Sequence, residues 1–320
     1  MNKKILITGV AGFIGSNLAL SLIEENRKTK IGNHYELIGI DNLSYGLRVN
    51  VPEGVEFYQL DIRDENIYEL FNGVDVVFHL AAKNCINDCQ LDPVETADIN
   101  VIGTVNIFEA AKKAQVGKIV YAESSALYEG SDIFPTPESE MKPESFYAIS
   151  KLSSMYFAKA YQTFYDLQFT ALRYFCVYGP VQDYRRTIPP VMSAFIIKLL
   201  RDEQPIIYGT GEKRRDFVYI DDVNDFHIKC INDHRTNNKT FNLGSRKNYS
   251  VLEIYNLVSE LLGKNIEPIF KPDLPGEAEF TLADITKAKI LGWKPKTDIK
   301  TGLLKATEYI KSEMKKGHIK

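Results

Sequence analysis

The sequence has little cysteine, one tryptophan and no surplus of either charge. Its four thiols, Cys85, Cys89, Cys176 and Cys230, fit an intracellular protein. Cys85 and Cys89 have no second Cys or His pair at metal-ligand spacing, so free thiols and no metal centre are expected. Thirty-nine Lys and Arg against 42 Asp and Glu leave a net charge of −3. No basic excess exists to hold a nucleic-acid backbone, although a local anion pocket stays open. No segment approaches the roughly 18–20 uninterrupted apolar residues of a membrane span. The N-terminus has two lysines and a very short apolar run, which does not read as a secretory signal. A cytoplasmic protein with no membrane contact is expected.

What is present is enough apolar residue, 44% of 320, to bury a full-sized core in one large or two fused domains. Short apolar runs recur at residues 4–8, 35–41, 55–60, 74–80, 118–122 and 169–174. Runs that are apolar on both faces suit a parallel sheet covered by helices. Helical spacing appears between them, at 17–25 and again at Val94, Ala97, Val101, Val105 and Phe108. This is the alternation of an α/β, doubly wound, Rossmann-type fold. Beyond about Tyr178 the rhythm loosens, with Gly179-Pro180, Pro189-Pro190 and isolated strands at 205–208 and 240–243. A smaller α/β lobe is expected there, with ligand bound where it meets the sheet.

Gly9, Gly12 and Gly15 come after the first strand and open the first helix. Gly9 permits the tight turn, Gly12 lets backbone approach a pyrophosphate, and Gly15 allows close helix–strand packing. The helix N-terminus then offers unpaired N–H groups to the phosphates. Asp41 ends the second strand, 26 positions after Gly15. A carboxylate there accepts from both ribose hydroxyls and repels a 2′-phosphate, which favours NAD over NADP. Asp61 and Ile62, after the third strand, are placed to meet the adenine.

Tyr147 and Lys151 lie four residues apart on one helix face. A free phenol, with a pKa near 10, is a poor base at neutral pH. Bringing it near neutrality takes roughly 4 kcal/mol, which a fixed Lys151 cation and an oxidised nicotinamide are expected to supply together. Ser124 and Ser125 end the strand that precedes this helix.

With these blocks in this order, the sequence resembles the extended short-chain dehydrogenase/reductase family, specifically its nucleotide-sugar epimerases and dehydratases. The likeness runs nearly end to end: TGVAGFIG at 8–15, DNLSYG at 41–46, HLAA at 79–82, Asn100 within INVIGT, SSALY at 124–128, YAISK at 147–151, LRYFCVYGP at 172–180, YGTGEKRRDFVYIDD at 208–222 and FNLG at 241–244. The resemblance implies an NAD-binding Rossmann domain over 1–177 plus about 216–243, and a nucleotide-sugar-binding lobe over about 178–215 and 244–320. It implies cofactor contacts from Gly9, Gly12, Phe13, Ile14, Gly15, Asp41, Asn42, Asp61, Ile62, Leu80, Ala81, Ala82, Asn100, Tyr147 and Lys151. Ser124, Tyr147 and Lys151 would form the catalytic triad. Tyr147 would take the proton from a sugar 4-hydroxyl while C4 gives hydride to NAD, and Ser124 would hydrogen-bond the same oxygen.

The subfamilies differ in the fate of that 4-ketosugar. Dehydratases resembling this chain place an Asp-Glu pair just after the catalytic Ser or Thr, and related decarboxylases a Glu. Here Ser125 and Ala126 stand in that stretch, and neither does acid–base work at C5. Epimerisation at C4 is therefore expected, with 4,6-dehydration as the alternative if Glu123 reaches C5. Strand alternation points Glu123 away from Ser124. Substrate contacts are expected from Lys83, Ser124, Ser125, Cys176, Arg185, Tyr208, Arg215 and Thr281. Cys176 and Leu274 stand where the family often has Asn and a phosphate-binding Arg, and Arg185 and Arg186 are candidates to compensate. Thr281, small at a gate beside the sugar 2-substituent, leans towards tolerance of N-acetylhexosamines. The helix near 92–114 and the one carrying Tyr147 resemble the pair that forms a homodimer seam in the family.

Overall fold

Residues 2–28, 34–186, 188–274, 276 and 278–319 are described by the computed structural model. Among the described residues the strands, in chain order, are β1 (Asn2–Thr8), β2 (His34–Ile40), β3 (Val55–Tyr58), β4 (Val76–His79), β5 (Lys118–Ser124), β6 (Phe169–Tyr174), β7 (Cys176–Tyr178), β8 (Ile206–Tyr208), β9 (Arg214–Tyr219), β10 (Lys239–Leu243), β11 (Asn248–Ser250) and β12 (Ile269–Lys271). The helices are α1 (Phe13–Lys28), α2 (Ile86–Leu91), α3 (Pro93–Ala97), α4 (Thr104–Lys113), α5 (Phe146–Tyr165), α6 (Val191–Leu200), α7 (Ile220–Asn232), α8 (Val251–Leu262), α9 (Thr286–Ile290) and α10 (Ile299–Lys315).

Seven strands form one sheet in the order β10-β6-β5-β4-β1-β2-β3, and every pairing in it is parallel. Ile5, Leu6, Ile7, Val77, Phe78, Ile119 and Val120 have no exposed surface, because helices cover both faces of the sheet. Strand order reverses between β1 and β4, and a crevice at the carboxyl ends of the strands opens at such a point. The sheet accordingly presents the loops after β1, β2, β4 and β5 at one edge.

Two expectations needed correction. Residues 240–243 do not stand in isolation beyond the sheet: β10 pairs with β6 at its edge, because Phe241 and Leu243 bury into the sheet's main core. The first helix begins at Phe13, within the glycine segment that opens it. The helix expected near 92–114 is α3, a wider π-helical stretch at Asp98–Gly103, and α4. Its early apolar positions do not cover the sheet. Val94 is 79% exposed, whereas Thr96, Asn100, Ile107 and Phe108 point inward.

A second core lies around β7, β9 and β11, where Phe195 and Ile196 of α6, Ile254 of α8 and Leu303 of α10 pack on Phe217. Asp216 of β9 is fully buried and ties this region together. Its carboxylate accepts from the backbone of Ser245, Arg246 and Ala283 and from the Ser245 hydroxyl.

β5 and β6 also carry a buried ion pair. Glu123 and Arg173 are direct cross-strand neighbours, with Arg173 Nε 2.7 Å from Glu123 Oε2 and both side chains essentially without exposure. Tyr121 Oη donates to the other carboxylate oxygen at 2.7 Å. Arg173 further donates to Tyr128 Oη and to the Glu138 carbonyl. Removing one member of a buried pair strands the other charge. Glu123→Ala is expected to lower the unfolding free energy by about 3–5 kcal/mol in urea titration, and a loss below ~1 kcal/mol would contradict this account.

Candidate active site

A cavity of about 880 Å³ runs from the glycine-rich turn after β1, past the end of β5, to β8 and β9. Its first wall is the turn between β1 and α1. Gly9 has φ +73°, the left-handed region that disfavours side chains. A Cβ on Gly15 would collide with the Gly9 carbonyl, so both positions require glycine. Gly9, Gly12, Phe13, Ile14 and Gly15 line the cavity, and the first N–H groups of α1 have no earlier helical acceptor. Asp41 is 8% exposed at the end of β2. It accepts from Ala11 N at 3.0 Å and Leu43 N at 2.8 Å, and burial raises its pKa. Asn42 Nδ2 donates to Asp61 at 2.8 Å, and the Arg63 guanidinium holds the Asp61 carboxyl far below the usual carboxylate range. Asn42, Asp61, Ile62, Leu80, Ala81 and Ala82 complete this end.

At the middle of the cavity, Ser124 from β5 meets Tyr147 from α5. Ser145 caps α5 by accepting from Ala148 N, which places Tyr147 in its first turn. The nearby Ser124 hydroxyl pulls the Tyr147 pKa down, but burial prevails and the phenol is pushed up to about 12. Dehydration is the largest influence on both groups. Lys151 is itself driven down to about 8, with the Glu123 carboxylate as the main opposing influence. Lys151 Nζ donates to the Ala122 carbonyl at 3.0 Å.

The far end is lined by Lys83, Ser125, Cys176, Tyr208, Arg215 and Thr281. Thr281 Oγ1 accepts from Asp216 N at 3.0 Å, which fixes the hydroxyl and leaves its methyl as the other branch. Leu274 also lines the cavity, with Lys213 nearby in sequence to Arg215. Lys213 Nζ lies 2.8 Å from Asp273.

Three expected residues do not line the cavity. Asn100 is 1% exposed. Its amide is spent on both backbone groups of Lys83 and on Ser150 Oγ, so it ties the loop after β4 to α5. Lys151 is 4% exposed, with its ammonium on the Ala122 carbonyl. Arg185 turns outward to the Tyr45 carbonyl and Asp183, and its neighbour Arg186 faces the cavity instead. Sequence reasoning also missed Lys213 and Glu129 as lining residues, because no spacing rule points to them.

The NAD dependent epimerase/dehydratase family matches residues 5–244. The chain belongs to that family. A putative UDP-glucose 4-epimerase of Methanocaldococcus jannaschii is 37% identical, over 96% of this chain and 98% of the relative. The UDP-glucose 4-epimerase of Thermotoga maritima, solved with UDP-glucose, has a TM-score of 0.90 and 35% identity, covering 98% of this chain and all of that one. The UDP-glucuronic acid 4-epimerase of Bacillus cereus, solved with UDP-glucuronic acid and NAD, has a TM-score of 0.88 and 28% identity, covering 97% of this chain and 99% of that one.

As a member of this family the chain uses NAD, and its own residues fit that cofactor. The glycine cradle leaves space that any Cβ would fill, α1 offers its N-terminus, and Asp41 stands at the end of β2. No helix among the described residues is long and apolar enough to cross a membrane.

The buried Lys151 has a consequence for stability. Its folded pKa of about 8 lies below the ordinary 10.5, so the folded chain gives up this proton first. Stability should rise with pH between about 8 and 10.5, and at lower pH burying the cation costs about 3 kcal/mol. Lys151→Met is therefore expected to raise the thermal midpoint at about pH 7 while removing turnover; a lowered midpoint would speak against it.

Proposed function

We propose that this chain epimerises C4 of a nucleotide-activated hexose or N-acetylhexosamine, UDP-linked by preference, through a transient 4-ketosugar. The supporting observation is a single cavity that puts the Ser124–Tyr147 pair between a dinucleotide cradle and a second end bearing Arg215 and Tyr208. When bound, NAD supplies a reversible hydride acceptor at that point.

Tyr147 takes the proton from the sugar 4-hydroxyl, and Ser124 donates a hydrogen bond to the same oxygen, which fixes it against the phenol. A phenol at about 12 stays protonated at neutral pH and cannot accept the proton in that form. Positive charge arriving beside it favours the phenolate, so proton removal is coupled to occupation of the cofactor site. Once C4 is a ketone, rotation of the sugar presents its opposite face, and Tyr147 returns the proton. Arg215 and Tyr208 hold the nucleotide diphosphate while the sugar turns. We assign the second core around β9 and α8 to this nucleotide-sugar-binding lobe.

The alternative, 4,6-dehydration, needs an acid–base group at C5. Ser125 and Ala126 offer none, and the Glu123 carboxylate is engaged by Arg173 and Tyr121. Thr281, with its hydroxyl held by the backbone, leaves room beside the sugar 2-position and supports acceptance of an N-acetyl group.

Incubation with UDP-glucose and UDP-N-acetylglucosamine, with products read by NMR, should show interconversion of 4-epimers without a lasting ketone. Tyr147→Phe should cut that rate by roughly 10²–10⁴-fold. Turnover within tenfold of wild type would remove Tyr147 from the chemistry.

A homodimer is also proposed. Leu91 is 78%, Val94 79%, Ile102 57%, Ile149 48%, Tyr156 60% and Phe164 77% exposed. Together they give α2, α3, the π-helical stretch after it and α5 exposed apolar positions, and apolar surface of this kind marks an association site. Light scattering should report twice the chain mass, and Val94→Glu with Phe164→Glu should reduce it to one; a monomeric wild type would refute the seam.

A further inference from the structure

Glu129 is a carboxylate in the cavity wall that the mechanism above does not use. It comes after the short 3-10 turn Ser125–Tyr128, directly beyond Ser124. Ser145 N at 2.8 Å and Glu144 N at 3.1 Å both donate to Glu129 Oε2, and Ser145 Oγ donates to Oε1 at 2.8 Å.

The direction of that last bond is set by its surroundings. Ser145 Oγ accepts from Ala148 N at 3.1 Å, so its own proton goes to Glu129. Two N–H groups and one O–H therefore converge on the carboxylate, which needs no proton of its own to satisfy them. Burial outweighs these donors and raises its pKa above the ordinary carboxylate value, while the donors favour the charged form. Glu129 is thus a fixed negative charge, anchored at the start of the helix that carries Tyr147.

Nearby cations are already committed. Arg186 pairs with Asp183 at 3.0 Å, Lys83 pairs with Glu95, and Lys151 donates to the Ala122 carbonyl. Among the described residues no Lys, Arg or His forms an ion pair with Glu129. Its charge also acts on the Tyr147 phenol, which places it in the electrostatic field of the reacting carbon.

We propose that Glu129 is a specificity-determining residue that makes the sugar pocket select hexoses neutral at C6 and reject uronic acids. The inference rests on the epimerase reading, which puts the sugar C4 oxygen between Ser124 and Tyr147. The C5–C6 arm of that sugar then lies in the same dehydrated space as the segment after Ser124. A C6 carboxylate there faces a like charge that no ion pair offsets, and such juxtapositions are built to exclude partners.

The test compares UDP-glucose with UDP-glucuronate in wild type and Glu129→Gln, by kcat/KM and by calorimetric binding with NAD present. Gln keeps one acceptor oxygen and the side-chain volume but removes the charge. Wild type should favour UDP-glucose, and Glu129→Gln should move the ratio towards UDP-glucuronate by about tenfold. A ratio unchanged in Glu129→Gln, with both substrates weakened equally, would mean a structural role only and overturn the proposal. So would a wild type that prefers UDP-glucuronate. If UDP-glucose binds without being epimerised, the epimerase reading fails, and the ratio of affinities still decides the role of Glu129.

Discussion

Three consecutive residues at the end of β5 hold the site together through three different kinds of group. The Ala122 carbonyl receives the Lys151 ammonium, the Glu123 carboxylate binds Arg173, and the Ser124 hydroxyl meets the Tyr147 phenol. Because side chains alternate along a strand, the Ser124 hydroxyl and the Glu123 carboxylate leave β5 on opposite faces, and the carboxylate is taken up by Arg173 and Tyr121. A one-residue slip of β5 against β6 would exchange those faces. The register Glu123↔Arg173 and Ser124↔Tyr174 is therefore a condition for both the buried ion pair and the reactive pair.

This arrangement dehydrates charge. Burial lowers Lys151 and raises Tyr147 in the folded chain, so neither group is at ease in its charged form. Such a site stores unfavourable electrostatics that a bound cofactor's positive charge relieves at the phenol, and stability is given up where reactivity is wanted. Glu123 and Glu129, the two carboxylates on either side of Ser124 and Ser125, are held in different ways. One is neutralised inside the sheet by Arg173, and the other is held by backbone N–H groups in the cavity wall.

Much of the cofactor half was legible in the sequence because backbone geometry dictates residue type there. Gly9 and Gly15 cannot be replaced without strain or collision, and the strand–turn–helix context makes their spacing informative. The substrate half was less legible. Arg185 and Arg186 are adjacent in sequence, and only the folded loop decides that Arg186 faces the cavity while Arg185 turns to Tyr45. Asn100 looked like a cofactor ligand, yet its amide closes on Lys83 and Ser150. The π-helical stretch that carries it has no signature in the 3.6-residue period.

The sequence by itself determined the doubly wound fold and the dinucleotide turn, and it singled out Ser124, Tyr147 and Lys151 as candidates, because local propensity, period and motif spacing are properties of short stretches of chain. Tertiary structure alone decided which charges are paired. Glu123 with Arg173, Arg186 with Asp183 and Glu129 with the start of α5 join segments that lie 3 to 50 residues apart. Whether a carboxylate acts on a substrate or on a buried guanidinium depends on what surrounds it in space, and burial sets the strength of every one of those interactions.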